Sequence, residues 1–182
     1  FMKRLYFIIL TVLLISCSKE LESEEVNIGT ELYGLTQEDI NQALIIHNNA
    51  RADVKVPDLK WSASLSKDAY EWAAQMASQD RMYHSENDSR PDQGENLFYT
   101  TATDSINPAR NASQLWYEEI ELYTYSPILS GENDFYKIGH YTQMVWKSTT
   151  EVGMAMAVSA SGKTYVAARY SPAGNYVGEY PY

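Results

Sequence analysis

The chain has 182 residues, which is enough for one globular domain of ordinary size and too few for two. Hydrophobic residues make up 45% of it and aromatic residues 13%, so the chain can bury a sizeable core and is not disordered throughout. The formal net charge of −10, with no Lys/Arg-rich run, repels phosphate backbones and argues against nucleic acid as a partner.

The first residues have the layout of a secretory signal peptide. Lys3 and Arg4 precede an apolar run from Leu5 to Ile15. As a helix this run would be roughly 16 Å long at about 1.5 Å per residue, whereas the hydrocarbon core of a bilayer is about 30 Å thick. We therefore predict a signal peptide over residues 1–16 rather than a spanning helix.

The single cysteine of the chain, Cys17, ends this segment in "LISC". This pattern resembles the lipobox of bacterial lipoproteins, in which the thiol is lipidated and becomes the mature N-terminus. Buried acyl methylenes at about 0.8 kcal/mol each would then anchor the protein to a membrane. Residues 17–34 are polar and acidic without periodicity, which predicts a flexible linker. The expected location is the cell envelope, with the domain lipid-anchored and facing outside the cytoplasm; display at the cell surface is one option that the sequence leaves open.

The next segments read as two helices. Thr36 is followed three residues later by Asp39, which is typical of a helix start, and apolar residues then recur at helical spacing as far as His47. In the second helix Leu65, Ala69, Trp72 and Met76 share a face, with Ser64 available as the cap. We expect His47 to cap or pack the first helix rather than to bind a metal, and Arg51 to pair with a carboxylate.

The following segment, residues 80–111, is rich in turn residues and is predicted to be mostly loop. A third helix should begin near Asn107 and Pro108, with Asn as the cap and Pro in the first turn. Its inward stripe is predicted to be Ala112, Leu115 and Trp116, with Glu119 in line with them and Glu118 on a solvated flank.

The last part of the chain predicts a short fourth helix in "GHYTQMVWK" and then a hairpin with a turn at Ser161 and Gly162. In the first strand of the hairpin, bulky Val152 and Met154 alternate with small Gly153 and Ala155. One face is thus bulky, and the other is small enough for a helix to approach closely. We expect both faces of the hairpin to be covered.

An inward carboxylate needs partners, because a half-buried Glu costs several kcal/mol unless it is paired, hydrogen-bonded or bound to a metal. The candidate partners of Glu119 are His84 in "MYHSEN", His140 in "GHYTQMVW" and His47. A second carboxylate, Glu95, lies between a glycine turn and an apolar run.

Together, "HNNAR", "HSEN", "GENLF", "QLWYEEI", "GHYTQMVWKST" and "ARYSPAGNYVGEYPY" resemble, in order and spacing, the CAP (or SCP) domain. This domain is shared by cysteine-rich secretory proteins, the antigen 5 proteins of venoms and pathogenesis-related 1 proteins. The resemblance covers residues 35–182. It implies a three-layer α-β-α sandwich with a small antiparallel sheet.

The resemblance also implies a cleft tetrad of two His and two Glu, which by motif are His84, Glu95, Glu119 and His140. The disulfides of the secreted eukaryotic members have no counterpart, since the predicted domain contains no cysteine.

Three classes of function are open at this point, one of which is a purely structural role in the cell envelope. The first is an extracytoplasmic binding module, with a lipid, glycan or protein ligand in the cleft. His84 and His140, with Glu95 or Glu119, would then be candidates for a divalent metal site, with zinc as the candidate ion; the alternative for these four residues is a hydrogen-bonded network. Aromatic side chains near the motifs could line the cleft: Tyr83, Phe98, Tyr99, Tyr141 and Tyr176.

The second class is a metal- or His/Glu-dependent hydrolase resembling a protease, in which zinc or a Glu–His pair activates water. A serine version would use Ser85 beside His84, although no G-x-S-x-G elbow is present. The sequence does not decide whether the protein is an enzyme.

Overall fold

The computed structural model describes residues 32–101, 106–130 and 133–182. The predicted signal peptide, Cys17 and most of the predicted linker lie outside the described residues. The described helices are α1 (Gln37–Asp53), α2 (Ala63–Ser78), α3 (Pro108–Glu118) and α4 (Gly139–Met144), and the strands are β1 (Lys60–Trp61), β2 (Gly94–Thr100), β3 (Glu151–Val158) and β4 (Thr164–Ser171). In this part of the chain every helix is too short or too polar to cross a bilayer.

The strands form one sheet in the order β1-β3-β4-β2. Strands β3 and β4 make the predicted antiparallel hairpin, and Gly162 adopts a positive φ of 86° in its turn, which suits a residue without a Cβ. Strand β2 pairs antiparallel with β4 and lies at the edge of the sheet, within a region that was predicted to be mostly loop.

The two faces of β3 are covered by different helices, as the alternation of bulky and small residues predicts. Val152 and Met154 pack in a core with residues of α1 and α3, whereas Ala155 packs against α2. Gly153 allows the close approach of α2, because a Cβ at this position would lie 2.3 Å from the backbone nitrogen of Ser66. The result is the expected α-β-α sandwich with a mixed sheet, since β1 runs parallel to β3.

The first helix begins as predicted and the second does not. The Thr36 side chain accepts a hydrogen bond from the backbone N–H of Asp39 at 3.1 Å. Helix α2 starts at Ala63, so Ser64 lies inside the helix, and Ser62 at the N-cap position makes no capping bond with its side chain. Trp72 is only half-buried, and its indole N–H donates to the carbonyl oxygen of Tyr83 at 3.0 Å.

Helix α3 is capped from another helix. Pro108 occupies the first turn as predicted, but the Asn107 side chain makes no capping bond. Instead the buried carboxylate of Asp39 accepts bonds from the backbone N–H groups of Ala109 and Arg110, at 3.1 and 2.8 Å. Burial raises the pKa of Asp39, although these two bonds and the charge of Arg110 lower it. Helices α1 and α3 are therefore joined by a side chain as well as by apolar contacts.

The inward stripe of α3 differs from the predicted one in which residues it contains. Besides Pro108 at its start, its buried residues follow i, i+3, i+4, i+7 spacing and are Ala109, Ala112, Ser113 and Trp116. Leu115 falls outside this stripe and is 49% exposed. Glu118 is exposed as expected and accepts a hydrogen bond from Gln114.

Candidate functional site

A cleft of about 380 Å³ opens over the edge strand β2. It is lined by residues 82–84, residues 95–97, Phe135, Tyr136, Gly139, His140 and Asn175. Three of the four predicted tetrad residues, His84, Glu95 and His140, thus line one cleft. The fourth, Glu119, does not line it but contacts His140 from behind. The tetrad is arranged as two separate His–Glu pairs.

The first pair joins His84 to Glu95. His84 Nδ1 lies 2.7 Å from Glu95 Oε1, and the imidazole is 59% exposed while the carboxylate is fully buried. The same oxygen accepts the backbone N–H of Ser85 at 3.0 Å. The buried carboxylate thus anchors an exposed ring at the mouth of the cleft.

Arg169 and Ser85 complete the surroundings of this carboxylate. Arg169 Nη1 lies 3.0 Å from Glu95 Oε2 and donates to Ser85 Oγ at 2.9 Å, while Ser85 Oγ donates to Glu95 Oε2 at 2.8 Å. Burial raises the pKa of Glu95, but the bond from His84, the charge of Arg169 and the two bonds from Ser85 outweigh it, so the pKa lies below its usual value. Glu95 is therefore a carboxylate at neutral pH and can only accept, which makes His84 Nδ1 the donor.

The second pair joins His140 to Glu119. Glu119 is the first residue of a 3₁₀ turn, Glu119–Leu122, that continues from α3. Its Oε1 lies 2.6 Å from His140 Nδ1, and its Oε2 accepts the backbone N–H groups of His140 and Tyr141 at 2.9 and 3.0 Å. Glu119 thus caps the start of α4 and orients the imidazole of the same helix.

The His140 ring has further supports. It stacks on the indole of Trp116 with 5.8 Å between ring centroids, and the backbone carbonyl of His140 accepts from Asn96 Nδ2 at 3.1 Å. Behind Asn96 the hydrogen bonds continue through the Tyr170 hydroxyl to His47 Nε2, at 3.1 and 2.8 Å. The position of His140 is therefore coupled to α1 through buried polar groups.

Both imidazoles have the same tautomer when neutral. Each Nδ1 carries the proton that a carboxylate accepts, so each Nε2 keeps its lone pair. The carboxylates are occupied with this orienting role, and in the part of the chain that the structure describes no group of three or more His, Cys, Asp or Glu side chains is arranged to hold a metal ion. A metal in the cleft would therefore rely on the two imidazoles, with the glutamates behind them.

The serine of the hydrolase hypothesis is engaged elsewhere. Ser85 Oγ is buried, donates to Glu95 and accepts from Arg169, and no hydrogen bond joins it to the adjacent His84. The Ser85 hydroxyl proton is directed at Glu95 and not at His84, so the two residues do not form the serine–histidine pair of this hypothesis. Ser85 serves to fix Glu95.

Two residues of the "HNNAR" motif are structural. His47 is fully buried, with Nδ1 at 2.8 Å from the carbonyl oxygen of Ala43 and Nε2 bonded to Tyr170, as the prediction of a packing role requires. The prediction of a carboxylate partner for Arg51 is wrong. Its guanidinium donates to four backbone carbonyls, those of residues 57, 144, 146 and 149, because the chain around Trp146 turns its carbonyls toward α1.

The predicted cleft aromatics divide into two groups. Tyr83 lines the cleft, and Tyr176 lines an adjoining hollow of about 460 Å³ beyond His84. The other three do not line either space: Tyr141 and Phe98 belong to the core, and Tyr99 stacks on Tyr165 at the surface. These aromatic residues are close to the motifs in sequence, but that closeness does not indicate on which face of its helix, strand or loop each ring lies.

Sequence reasoning missed Arg169, Asn96 and Asn175 as parts of the site. The signal for Arg169 was available, because a single Arg interrupts the apolar strand "TYVAARY" and a buried Arg requires an acceptor. It lies opposite Glu95 in the strand register, which joins the two residues across β2 and β4.

Comparison with known proteins gives consistent results. The model of the CAP family, described as the cysteine-rich secretory protein family, matches residues 44–170. The chain is 35% identical over 141 residues to human Golgi-associated plant pathogenesis-related protein 1, covering 76% of this chain and 86% of that protein. It is 39% identical over 145 residues to pathogenesis-related protein PR-1 of Medicago truncatula, covering 78% of each chain.

A solved structure is similar as well. The crystal structure of NaASP2 with Zn²⁺ matches with a TM-score of 0.71 and 27% sequence identity, covering 82% of this chain and 87% of that one. Sequence and fold agree over the segment that carries both His–Glu pairs. The chain therefore belongs to the CAP, or cysteine-rich secretory protein, family.

Proposed function

We propose that the protein is an extracytoplasmic binding module whose cleft takes a divalent metal ion, zinc being the candidate, between His84 and His140. Membership of a family of secretory proteins supports a location outside the cytoplasm. The observation that carries the metal proposal is the orientation of the rings, since each Nδ1 is bonded to a glutamate and each Nε2 keeps its lone pair. A carboxylate behind a histidine is the usual support of a metal ligand.

The donor set fits an open site. Two imidazoles are suitable zinc ligands, but a closed structural site has four protein ligands. The remaining coordination positions would be filled by water or by atoms of a bound ligand. A zinc ion bound there would supply a Lewis-acidic position for a carbonyl or carboxylate oxygen of that ligand. This is consistent with the similar NaASP2, which was solved with Zn²⁺.

Zinc titration by calorimetry tests the metal proposal. We expect saturable heat with the full-length protein at about pH 7.5, and its loss in His84→Ala and in His140→Ala, because one imidazole leaves a much weaker site. Lowering the pH to about 5.5 should weaken zinc binding, since a protonated imidazole has no lone pair to donate. Absence of saturable heat from the unmodified protein would refute the proposal.

Neighbouring glutamates on α3 provide a matched pair of variants. Glu119→Ala removes the acceptor behind His140 and should weaken zinc binding about 10- to 100-fold. Glu118→Ala alters an exposed carboxylate one residue away and should leave zinc affinity unchanged. Equal affinities in the two variants would show that Glu119 does not support a metal ligand.

We also propose that Cys17 anchors the protein to a membrane through a lipid. The support is the pattern "LISC" after an apolar run too short to span. Cys17→Ser should abolish partitioning of the full-length protein into the detergent phase, and Ser18→Ala should preserve it. A Cys17→Ser protein that still partitions with membranes would contradict lipidation.

A further inference from the structure

We infer that the cleft binds an extended peptide segment by adding it as a fifth strand along β2. This inference deepens the proposed binding function and rests on it. Strand β2 is an edge strand, since β4 is its only neighbour in the sheet that the described residues form. An edge strand presents backbone N–H and C=O groups that another chain can pair with.

The direction of these groups follows from the hairpin. The backbone N–H of Ser159 donates to the carbonyl of Lys163 at 2.8 Å, in continuation of the register that pairs Val158 with Thr164. Because hydrogen-bonded and non-hydrogen-bonded pairs alternate in an antiparallel ladder, odd-numbered residues of β4 bond to β3 and even-numbered residues bond to β2.

The even-numbered residues of β4 lie opposite the even-numbered residues of β2. The backbone groups of Glu95 and Leu97 therefore point away from the sheet. An independent contact agrees with this alternation. The indole N–H of Trp116, which is outside the sheet, donates to the carbonyl oxygen of Leu97 at 3.3 Å.

These outward groups lie at the cleft. Glu95, Asn96 and Leu97 are three of its lining residues, and they are only 9%, 1% and 4% exposed. No group in the described part of the chain hydrogen-bonds to the backbone N–H or C=O of Glu95, or to the backbone N–H of Leu97. Recessed backbone groups without protein partners are costly unless water or a ligand satisfies them.

The chemistry of these groups selects the occupant. The unpaired groups are the N–H and C=O of Glu95 and the N–H of Leu97. The backbone of an extended peptide can pair with all three, because it alternates donors and acceptors at the same spacing. The recessed position of the strand excludes the β2 edge of a second copy, because two edges that both lie at the floor of a cleft cannot meet. Only an isolated segment of chain can enter.

The walls add a preference for side chains. Met82 is 42% exposed and Tyr136 is 94% exposed, and both line the cleft. Their apolar surface would cover a bulky apolar side chain of the peptide, while its backbone lies on β2. We therefore expect extended peptides with at least one large apolar residue.

The test selects ligands for the full-length protein from displayed random linear peptides of about a dozen residues, with and without zinc. Backbone N-methylation of a selected peptide, one residue at a time, should lower affinity at least about tenfold at alternating positions and little at the positions between. Hydrogen exchange should slow at the amides of Glu95 and Leu97 on binding, but not at that of Asn96, which already faces β4.

The outcomes separate this inference from the metal proposal. Failure to select any peptide, an N-methyl scan without a period of two, or unchanged exchange at Glu95 and Leu97 would overturn strand addition, whatever the zinc titration shows. An alternating N-methyl scan in a protein without zinc affinity would overturn the metal proposal alone. Self-association that protects the same amides and that the selected peptide disrupts would show that the occupant is a segment of a second copy, and would overturn binding of a separate peptide.

Discussion

Replacing Arg51 by alanine is expected to lower the free energy of unfolding by about 3–5 kcal/mol, which is a large part of the stability of an ordinary domain. The guanidinium is fully buried and donates to carbonyls of two chain segments. Its bonds to Met144 and Trp146 hold the end of α4 against α1. Truncation leaves these carbonyls without donors, so the segment that carries His140 should also become looser.

Two controls make the measurement specific. Arg51→Lys should recover only part of the loss, because one ammonium cannot replace a planar fork that reaches four oxygens. Lys67→Ala, which truncates a cationic side chain at an exposed position of α2, should alter stability by about 0.5 kcal/mol or less. Urea unfolding of the three variants tests the prediction, and an Arg51→Ala midpoint equal to that of the unmodified protein would contradict it.

The success of the sequence analysis followed from local patterns. The alternation in β3 predicted which face a helix can approach closely. Small side chains allow close packing whichever segment of the chain supplies the helix. The turn at Gly162 and the start of α1 at Thr36 were likewise predictable, since each depends on residues within a few positions.

Strand β2 was missed because its stabilising partners are distant in sequence. Glu95 and Asn96 are buried polar residues, and their partners Arg169 and Tyr170 lie more than seventy positions further along the chain. A segment of this kind has no apolar alternation to read. The same reason explains why the four carbonyls around Arg51 could not be predicted, since backbone groups leave no mark on the sequence.

The residues of the candidate site could be predicted from the sequence, but their pairing could not. The four tetrad residues came from the resemblance to the CAP family, and an inward Glu119 could be predicted from the helical stripe of α3 alone. The pairing of Glu119 with His140 and of Glu95 with His84 depends on the sheet register and on where α4 begins. Helical periodicity carries no information on either.

The second large effect is a loss of stability in acid that depends on His47. Burial, followed by the charge of Arg51, lowers the pKa of His47 to about 4 against the bond to Ala43, which raises it. The hydrogen bonds agree with a neutral ring, because Nδ1 must donate to the carbonyl of Ala43 and Nε2 then accepts from the Tyr170 hydroxyl. A proton on Nε2 would remove that acceptor.

The sign of the pH effect follows from linkage. Between about pH 6.5 and about pH 4 the unfolded chain binds a proton at His47 that the folded chain does not, so the free energy of unfolding should fall as the pH falls. A pKa shift of this size corresponds to about 3 kcal/mol in the free energy of unfolding. Urea unfolding at several pH values should show this slope in the unmodified protein and a flatter one in His47→Gln, which cannot be protonated. Parallel slopes in the two proteins would contradict the prediction, because they would mean that His47 is not held in its neutral form in the folded chain.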